Sequence, residues 1–276
     1  MQILINGLKT NRAFAVSSFF VLLLIAVALA APLIAPYDPL EAVMQNAYLP
    51  PSAEHLFGTD KLGRDNFSRI LYGASYSLLS VLLLVTIIFA VGTTLGVLAG
   101  YYGGKVDIVI MRISDMMISF PGMILAIAVA GILGGSLINA IIALTIVTWT
   151  KYARLARSMV LKIKKRDFVE AAIVNGGTST HILWKHILPN ILPLMVITAA
   201  SDIGAMMMEL AGLSFLGFGS QPPAPEWGLM LNEGRQQLQT APWLMIFPGL
   251  AIFVTVVIFN LWGDALRDVL DPRQEE

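Results

Sequence analysis

Long runs of apolar residues are the feature of this sequence that most limits how it can fold. A helix that crosses the hydrocarbon core of a bilayer needs about 20 mainly apolar residues, because each residue adds ~1.5 Å to a layer ~30 Å thick. The sequence therefore predicts an all-α integral membrane protein with six spans, of which the fourth is the shortest. The six apolar runs cover residues 14–34, 78–99, 116–133, 137–150, 191–213 and 243–262.

The composition excludes several other classes of protein. Only 13% of the 276 residues are charged, whereas roughly a quarter are charged in a soluble domain. Lys plus Arg equals Asp plus Glu at 18 each, so no excess of positive charge is available to bind nucleic acid. The chain contains no Cys, which excludes disulfides and thiolate metal sites.

The distribution of Lys and Arg predicts the orientation of the spans, because these residues favour the cytoplasmic side in short loops. If the N-terminus lies inside, the outer loops contain only four of them, which leaves 14 of the 18 on the cytoplasmic side. We therefore predict that both termini are cytoplasmic. The four outer residues are Lys61, Arg64, Arg69 and Arg235.

The predicted spans divide the chain into a short N-terminus, a separate first span, a long outer loop and a core domain of five spans. The core domain contains one long cytoplasmic loop and one long outer loop. In chain order the segments are the cytoplasmic N-terminus 1–13, the first span 14–34, the outer loop 35–77 and the core domain 78–276, with the cytoplasmic loop at 151–190 and its outer loop at 217–242.

Two of these loops contain helical signals. The outer loop begins with Pro36 and Pro39, which prevent a regular helix, but residues 65–72 repeat apolar side chains at helical spacing and predict a short amphipathic helix. The cytoplasmic loop is strongly basic, and residues 168–174 predict a short helix that ends at a Gly-Gly pair. We expect this cytoplasmic helix to dock on another protein.

The fifth span contains two acidic residues, Asp202 and Glu209. An ionisable group near the centre of a membrane costs at least ~2.5 kcal/mol, so such residues face protein or water. Asp202, Met206 and Glu209 are spaced i, i+4 and i+7, which places them on one helical face. Two interpretations stay open: these residues line a translocation pathway, or Asp202 is satisfied by a neighbouring helix and Glu209 reaches the outer interface.

A stripe of small residues runs along the second span. Gly92, Gly96 and Gly100 are four residues apart, and this spacing allows two helix backbones to approach closely. We therefore predict that this face packs against another helix, in this chain or in a partner.

The sequence contains no recognisable catalytic site. Residues 99–106 resemble a phosphate-binding loop only superficially, because Gly at 99 and Ser or Thr at 106 are both missing. His55, His181 and His186 all lie outside the predicted spans, and the last two are not spaced as a metal-binding pair. We conclude that any ATP must be hydrolysed by another protein.

One motif in the cytoplasmic loop resembles that of a known family. The pattern resembles the EAA loop of binding-protein-dependent ABC transporter permeases, although His186 stands where the usual pattern has Ile. This resemblance implies that the loop is a coupling helix, which inserts into a groove of a cytoplasmic ATPase subunit. The residues that carry the pattern are Glu170, Ala171, Ala172, Gly176, His186, Leu188 and Pro189.

Further motifs narrow the resemblance to the C-type permeases of dipeptide, oligopeptide and nickel importers. The motifs lie at 31–39, 58–69, 221–228 and 263–272, so they cover almost the whole chain. One departure is Ser75, where many relatives carry Arg.

The resemblance implies a type I ABC importer permease in the inner (cytoplasmic) membrane of a prokaryote. It implies a homologous second permease, two ATPase subunits that bind ATP and magnesium, and an extracytoplasmic substrate-binding protein. It also implies that this chain binds no cofactor and forms half of the translocation pathway.

The sequence favours nickel or a nickel chelate as the transported substrate. Residues 152–158 and 202–217 look closer to nickel-importing members than to dipeptide-importing ones. Import of dipeptides or oligopeptides is the alternative. A more remote alternative is an ion-coupled secondary transporter or channel with Asp202 and Glu209 as its coupling carboxylates, and a membrane scaffold without a substrate is a third class.

Overall fold

The computed structural model describes residues 7–270, and these residues form a bundle of α-helices. They contain no β-strand, only an isolated bridge between Thr59 and Asp65. The all-α prediction is thereby confirmed for this part of the chain. The helices are α1 (Arg12–Ile34), α2 (Asn66–Tyr102), α3 (Gly104–Ile118), α4 (Gly122–Leu133), α5 (Leu137–Ile163), α6 (Asp167–Val174), α7 (Ser179–Phe215), α8 (Trp227–Gly234) and α9 (Trp243–Leu270).

Four of these helices, α1, α2, α7 and α9, are long and apolar enough to cross a membrane. The pair α3 and α4 provides a fifth span if the two are counted together. α5 is 27 residues long but is not among them, because basic residues from Lys151 onwards restrict its apolar part to residues 137–150. Length and composition of the described residues therefore give four or five spans, and the predicted count of six is not confirmed.

The predicted amphipathic helix at 65–72 is not a separate element. α2 begins at Asn66 and continues without a break to Tyr102, over 37 residues. The carboxylate of Asp65 caps its N-terminus by accepting a hydrogen bond from the Ser68 amide at 2.8 Å. Nothing between residues 66 and 78 interrupts the backbone, so the outer helix and the second span form a single rod.

The predicted third span, 116–133, is interrupted. α3 ends at Ile118 and α4 begins at Gly122, with a bend of 95° between them. Pro121 lies in the break, and proline both lacks an amide donor and disfavours helical backbone at the residue before it. The prediction of one continuous helix was wrong because it overlooked Pro121.

The predicted cytoplasmic loop at 151–190 is mostly helical. Its first residues continue α5 to Ile163 and its last residues belong to α7 from Ser179 onwards, so only α6 and short connections lie between them. The predicted outer loop at 217–242 contains α8. Residues 1–6 of the predicted N-terminus, and Asp271 and Pro272 of the last motif, lie outside the described residues.

The core of the bundle is centred on α2 and α5, which pack against each other more extensively than any other pair. α9 packs against α7 and α1, and α7 also contacts α2 and α5. Leu84, Ile88, Leu144 and Met195 are fully buried among these helices. The arrangement places α5 between α3 and α7, and this position governs the ion pairs described below.

Candidate functional site

The short helix α6 connects α5 to α7 and contains Glu170, Ala171 and Ala172. Its Val169 is fully buried in the main core, which anchors the helix to the bundle. Glu170 is exposed. The apolar side chains of Phe168, Ile173 and Val174 are exposed as well, and Val174 is 86% exposed. α6 therefore presents an apolar surface with an acidic residue beside it.

A sharp turn follows α6 at the Gly-Gly pair. Gly176 has a φ of +79°, a left-handed conformation that glycine adopts without steric cost. The amide of Gly177 donates to the Ala172 carbonyl at 3.0 Å. The Thr178 hydroxyl then accepts a hydrogen bond from the His181 amide at 3.3 Å and caps α7. The turn sets the direction in which α7 follows α6.

His186, Leu188 and Pro189 lie in the first turns of α7, next to α6. Residues Leu183–Ile187 form a π-helical stretch, and the Leu188 amide donates to the Leu183 carbonyl. Pro189 has no amide hydrogen, which accounts for an irregular hydrogen-bond ladder at this point. The His186 ring lies 6.2 Å from the Phe168 ring. The residue that departs from the family pattern thus contacts α6.

Three basic residues of α5, namely Lys151, Arg154 and Arg157, pair with acidic residues of the helices on either side. Besides its ion pair, Arg154 donates a hydrogen bond to the buried Ser114 hydroxyl at 2.9 Å. These contacts tie α5 to α3 on one side and to α7 on the other, and they explain why residues 151–163 are helical although the sequence suggested a loop. The pairs are Lys151 with Asp202 at 2.6 Å, Arg154 with Asp115 at 2.5 Å and Arg157 with Asp107 at 2.5 Å.

The three residues that the sequence placed on one face of the fifth span are buried to different extents in the structure. Asp202 accepts hydrogen bonds from the Lys151 ammonium and from the Tyr152 hydroxyl, the latter at 2.9 Å. Glu209 is half-buried on the same side of α7. Met206, in contrast, is 5% exposed and packs in the core. Ala205, on the other side of the line through the two acids, is exposed instead. We call the side of α7 that carries Asp202, Ala205 and Glu209 its open face; that Met206 lines a pathway stays a prediction.

The Gly stripe of α2 contacts α5 within the same chain. A Cβ atom added to Gly92 would lie 2.6 Å from the Trp149 carbonyl oxygen, and one added to Gly100 would lie 2.8 Å from Val160 Cβ. At Gly96 the Ala153 carbonyl oxygen would be only 2.2 Å away. The three glycines let the backbones of α2 and α5 touch along more than two turns.

A buried cluster of charged residues near the start of α2 was not predicted as a site. The side chains of Arg64 and Arg69 are 2% and 1% exposed. Both donate to Glu233 of α8, and Arg64 donates to Asp60 at 2.6 Å. The exposed Lys61 reaches Glu233 at 3.4 Å. The cluster fastens the outer loop and the start of α2 to α8.

The sequence contained a signal for this cluster. Lys61, Arg64 and Arg69 are three of the four basic residues that the predicted orientation places outside. Basic residues are depleted in short loops on the outer side of a membrane. A group of three in a predicted outer loop therefore indicates that acidic partners hold them. Asp60 lies beside them, but Glu233 is 169 residues from Arg64, and only the tertiary structure brings it to the cluster.

Ser75, the position where many relatives carry Arg, lies in α2 next to α1. Its hydroxyl donates to the Ala28 carbonyl oxygen. Here a small hydroxyl side chain fits between two packed helices, where an Arg side chain needs much more space. Serine at this position therefore allows a close contact between α1 and α2.

Glu226 caps the N-terminus of α8 from a buried position. Its two carboxylate oxygens accept hydrogen bonds from the amides of Gly228 and Leu229, both at 2.8 Å. Burial raises the pKa of the Glu226 carboxyl, although these hydrogen bonds oppose the effect. Ser77 of α2 lies beside it and accepts from the Trp227 amide at 3.2 Å. Glu226 thus joins α8 to α2.

Comparison with known proteins identifies two family models in the chain. Residues 92–276 match the model described as "Binding-protein-dependent transport system inner membrane component". Residues 1–51 match the model described as "N-terminal TM domain of oligopeptide transport permease C". Together the two models cover both ends of the chain.

Several curated proteins are similar over nearly the full length. A dipeptide transport system permease protein of Alkalihalophilus pseudofirmus is 45% identical, over 97% of this chain and 88% of the relative. A glutathione transport system permease protein of Pectobacterium atrosepticum is 47% identical, over 93% and 86%. A probable D,D-dipeptide transport system permease protein of Escherichia coli is 42% identical, over 96% and 89%.

Solved structures show a similar fold at lower identity. A chain of an inward-facing MetNI methionine ABC transporter superposes with a TM-score of 0.57 and 22% identity, over 70% of this chain and 92% of that one. A chain of an amino acid ABC transporter with histidines superposes with a TM-score of 0.54 and 17% identity, over 72% and 92%. Both chains belong to ABC transporter structures and share the fold of this chain.

Proposed function

Because the chain belongs to the family of binding-protein-dependent transport system inner membrane components, we propose that it is the permease subunit of an ABC importer for short peptides. The observation that carries the proposal is the identity of 42–47%, over more than nine tenths of this chain, to permeases named for dipeptide, D,D-dipeptide and glutathione transport. All three cargoes are peptides with free charged ends. Their side chains and stereochemistry differ.

Peptides replace nickel as the favoured substrate. None of these relatives is named for nickel, and no group of three or more His, Cys, Asp or Glu in residues 7–270 could hold a metal ion. Fold alone does not determine the substrate, so the choice depends on the relatives. The substrate prediction made from residues 152–158 and 202–217 finds no support in them.

The chain is a transport subunit and not an ATPase, and ATP and magnesium belong to separate subunits. It acts in the inner membrane as a multi-pass protein, with a second permease, ATPase subunits and a substrate-binding protein as partners. We propose that the ATPases dock on α6 through Glu170 and the apolar side chains around it. Rigid elements with two arrangements can carry such a movement. The ion pairs that join α5 to α3 and α7 supply rigid connections of this kind.

The number and orientation of the spans are part of the proposal. We propose six spans with both termini cytoplasmic, in which the bent pair α3 and α4 is one span and the apolar half of α5 is another. The basic residues of α5 after residue 150 would then lie at the cytoplasmic end, close to α6. This arrangement agrees with the excess of Lys and Arg on that side.

Uptake by the reconstituted transporter tests the function. The complete complex is placed in proteoliposomes with its binding protein, and ATP is supplied on the side that carries the ATPase subunits. Radiolabelled Ala-Ala should be imported only when this ATP is present. ATP-dependent uptake of nickel without uptake of the peptide would restore the nickel interpretation. Uptake by this chain alone under an ion gradient would support a secondary transporter instead.

A further inference from the structure

The open face of α7 carries two acidic residues with a small residue between them. Asp202 and Glu209 are seven residues apart, which corresponds to roughly 10 Å along the axis of an α-helix. Ala205 lies between them and is exposed. The side chain directly between the two carboxyl groups is therefore small, and the nearest large exposed side chain of α7 is that of Met208, next to Glu209.

The Asp202 end of this face has a cation that can bind a further group. The Lys151 ammonium contacts both Asp202 oxygens, at 2.6 and 2.9 Å, yet its side chain is 57% exposed. An ammonium group has three hydrogen-bond donors, so a donor remains for another acceptor. The Tyr152 hydroxyl also donates to Asp202, so that carboxylate has a second hydrogen-bond donor besides Lys151. A second carboxylate can thus bind at Lys151.

The Glu209 end has an acid without a partner. In the part of the chain that the structure describes, the Glu209 carboxylate makes no hydrogen bond and no ion pair, and the charges that act on it are those of Asp202 and Lys151. A carboxyl group inside a membrane helix is costly unless it faces water or a polar partner, and such groups mark substrate pathways. An ammonium group from a passing ligand would be such a partner.

We infer that Lys151 and Glu209 form the two ends of a transient binding site for a short zwitterionic peptide. The α-carboxylate binds at Lys151 and the α-ammonium binds at Glu209. This inference rests on the proposed function and adds the place at which the cargo contacts this chain. An extended peptide spans about 3.3–3.6 Å per residue. A dipeptide or tripeptide therefore covers roughly the separation between Asp202 and Glu209.

Recognition of the two charged ends explains how one site could serve peptides of different composition. Dipeptides, D,D-dipeptides and glutathione differ in side chains, stereochemistry and linkage, but each has free ammonium and carboxylate groups. A site that binds only these groups, beside the small side chain of Ala205, does not select among side chains.

Protection of an introduced thiol tests the site without the binding protein. The chain has no Cys, so Ala205→Cys gives it a single thiol between the two ends. In the complex with the partner permease and the ATPases, millimolar Ala-Ala should slow labelling of this chain by a membrane-impermeant thiol reagent at least threefold. N-acetyl-Ala-Ala-amide, which has no charged ends, should not. Val196→Cys is the matched control, because Val196 is exposed on the opposite side of α7.

Glu209→Gln tests the ammonium end with little risk to folding, because the exchange is isosteric and removes no hydrogen bond or ion pair within residues 7–270. It should abolish protection of the Ala205→Cys thiol and raise the KM for Ala-Ala uptake about tenfold, the loss expected for one charge-assisted hydrogen bond. Glu209→Asp keeps the charge and should keep the protection. Lys151→Gln should also abolish protection, while Tyr152 still holds Asp202.

The outcomes separate this inference from the proposed function. If the complex imports Ala-Ala, but Glu209→Gln leaves both KM and protection unchanged, the site is wrong and the function stands. Equal protection by the blocked peptide would also overturn the site. If the wild-type complex imports no peptide, the proposed function fails and the inference fails with it.

Discussion

Gly96 of α2 lies directly against Ala153 of α5, so closely that a Cβ atom on the glycine would be 2.2 Å from the Ala153 carbonyl oxygen. Ala153 lies between Lys151, which pairs with α7, and Arg154, which pairs with α3. The tightest of the three glycine contacts between α2 and α5 is thus adjacent to two interhelical ion pairs. A change in the separation of α2 and α5 would also displace these pairs.

This contact predicts a large effect from a small substitution. Gly96→Ala should destabilise the protein by about 1–3 kcal/mol, because the added methyl group overpacks two backbones that cannot move independently. Thermal unfolding of the detergent-solubilised complex measures the effect. Gly249→Ala in α9 is the control, since the nearest atom to its Cβ would be 3.9 Å away. Equal stability of the two variants would contradict the close packing of α2 against α5.

The buried charged cluster around Arg64 and Arg69 predicts that Glu233, its one carboxylate on α8, is needed for stability. Glu233→Gln should cost about 3 kcal/mol or more, because it weakens the pairing of Arg64 and Arg69 while both remain buried. The expected result is a lower unfolding temperature and a lower yield of the complex.

Lys61→Met is the matched control for Glu233→Gln. Lys61 contacts the same carboxylate, but its side chain is 47% exposed, and exposed ion pairs contribute roughly 0–1 kcal/mol. If removing Lys61 is as harmful as changing Glu233, burial is not the reason for the effect.

Much of the helical pattern could be predicted from the sequence, because it depends on local properties. The apolar runs gave α1, α2, α7 and α9 their approximate positions, and the short helix before Gly176 was also predicted. The 95° break between α3 and α4 could have been predicted from Pro121. The continuation of α5 beyond residue 150 could not, because its basic residues are held by acidic residues of other helices.

The contacts of the candidate site depend on tertiary structure and were less predictable. The sequence identified Asp202 as a residue that needs a partner or water, but Lys151 is 51 residues away. Their pairing depends on the relative registers of α5 and α7. The burial of Met206 and the exposure of Ala205 have the same origin. The two residues flank the line through Asp202 and Glu209 on opposite sides, and only the packing of α7 decides which side is buried.

Glu226 predicts a dependence of stability on pH. Because burial raises the pKa of this carboxyl, the folded protein binds a proton more tightly there than the unfolded chain does. This stabilisation is complete below the ordinary value of 4.5 and is lost as the pH rises through the raised pKa. We expect Glu226→Gln to reduce the fall in unfolding temperature between about pH 5 and about pH 8.

The matched control for this pH effect is Glu41→Gln, which changes an exposed Glu in the segment before α2. That variant should keep the wild-type profile. A Glu226→Gln profile parallel to that of the wild type would show that another group causes the pH dependence.

The apolar surface of α6 predicts a specific loss of ATPase binding. Val174 is 86% exposed, and a charge placed there must be desolvated when an ATPase subunit covers it. Val174→Asp should therefore reduce the amount of ATPase that co-purifies with the permease several-fold. Glu170→Lys should weaken docking, or leave ATP hydrolysis uncoupled from uptake, because it reverses the charge beside the apolar surface.

Leu238→Asp distinguishes this loss from a general effect of a surface charge. Leu238 is 53% exposed but lies between α8 and α9, on the side that the proposed orientation places outside. The Leu238→Asp variant should leave ATPase co-purification unchanged. Normal co-purification and normal uptake in both Val174→Asp and Glu170→Lys would show that the ATPases dock elsewhere, and the connection between α5 and α7 would then be structural only.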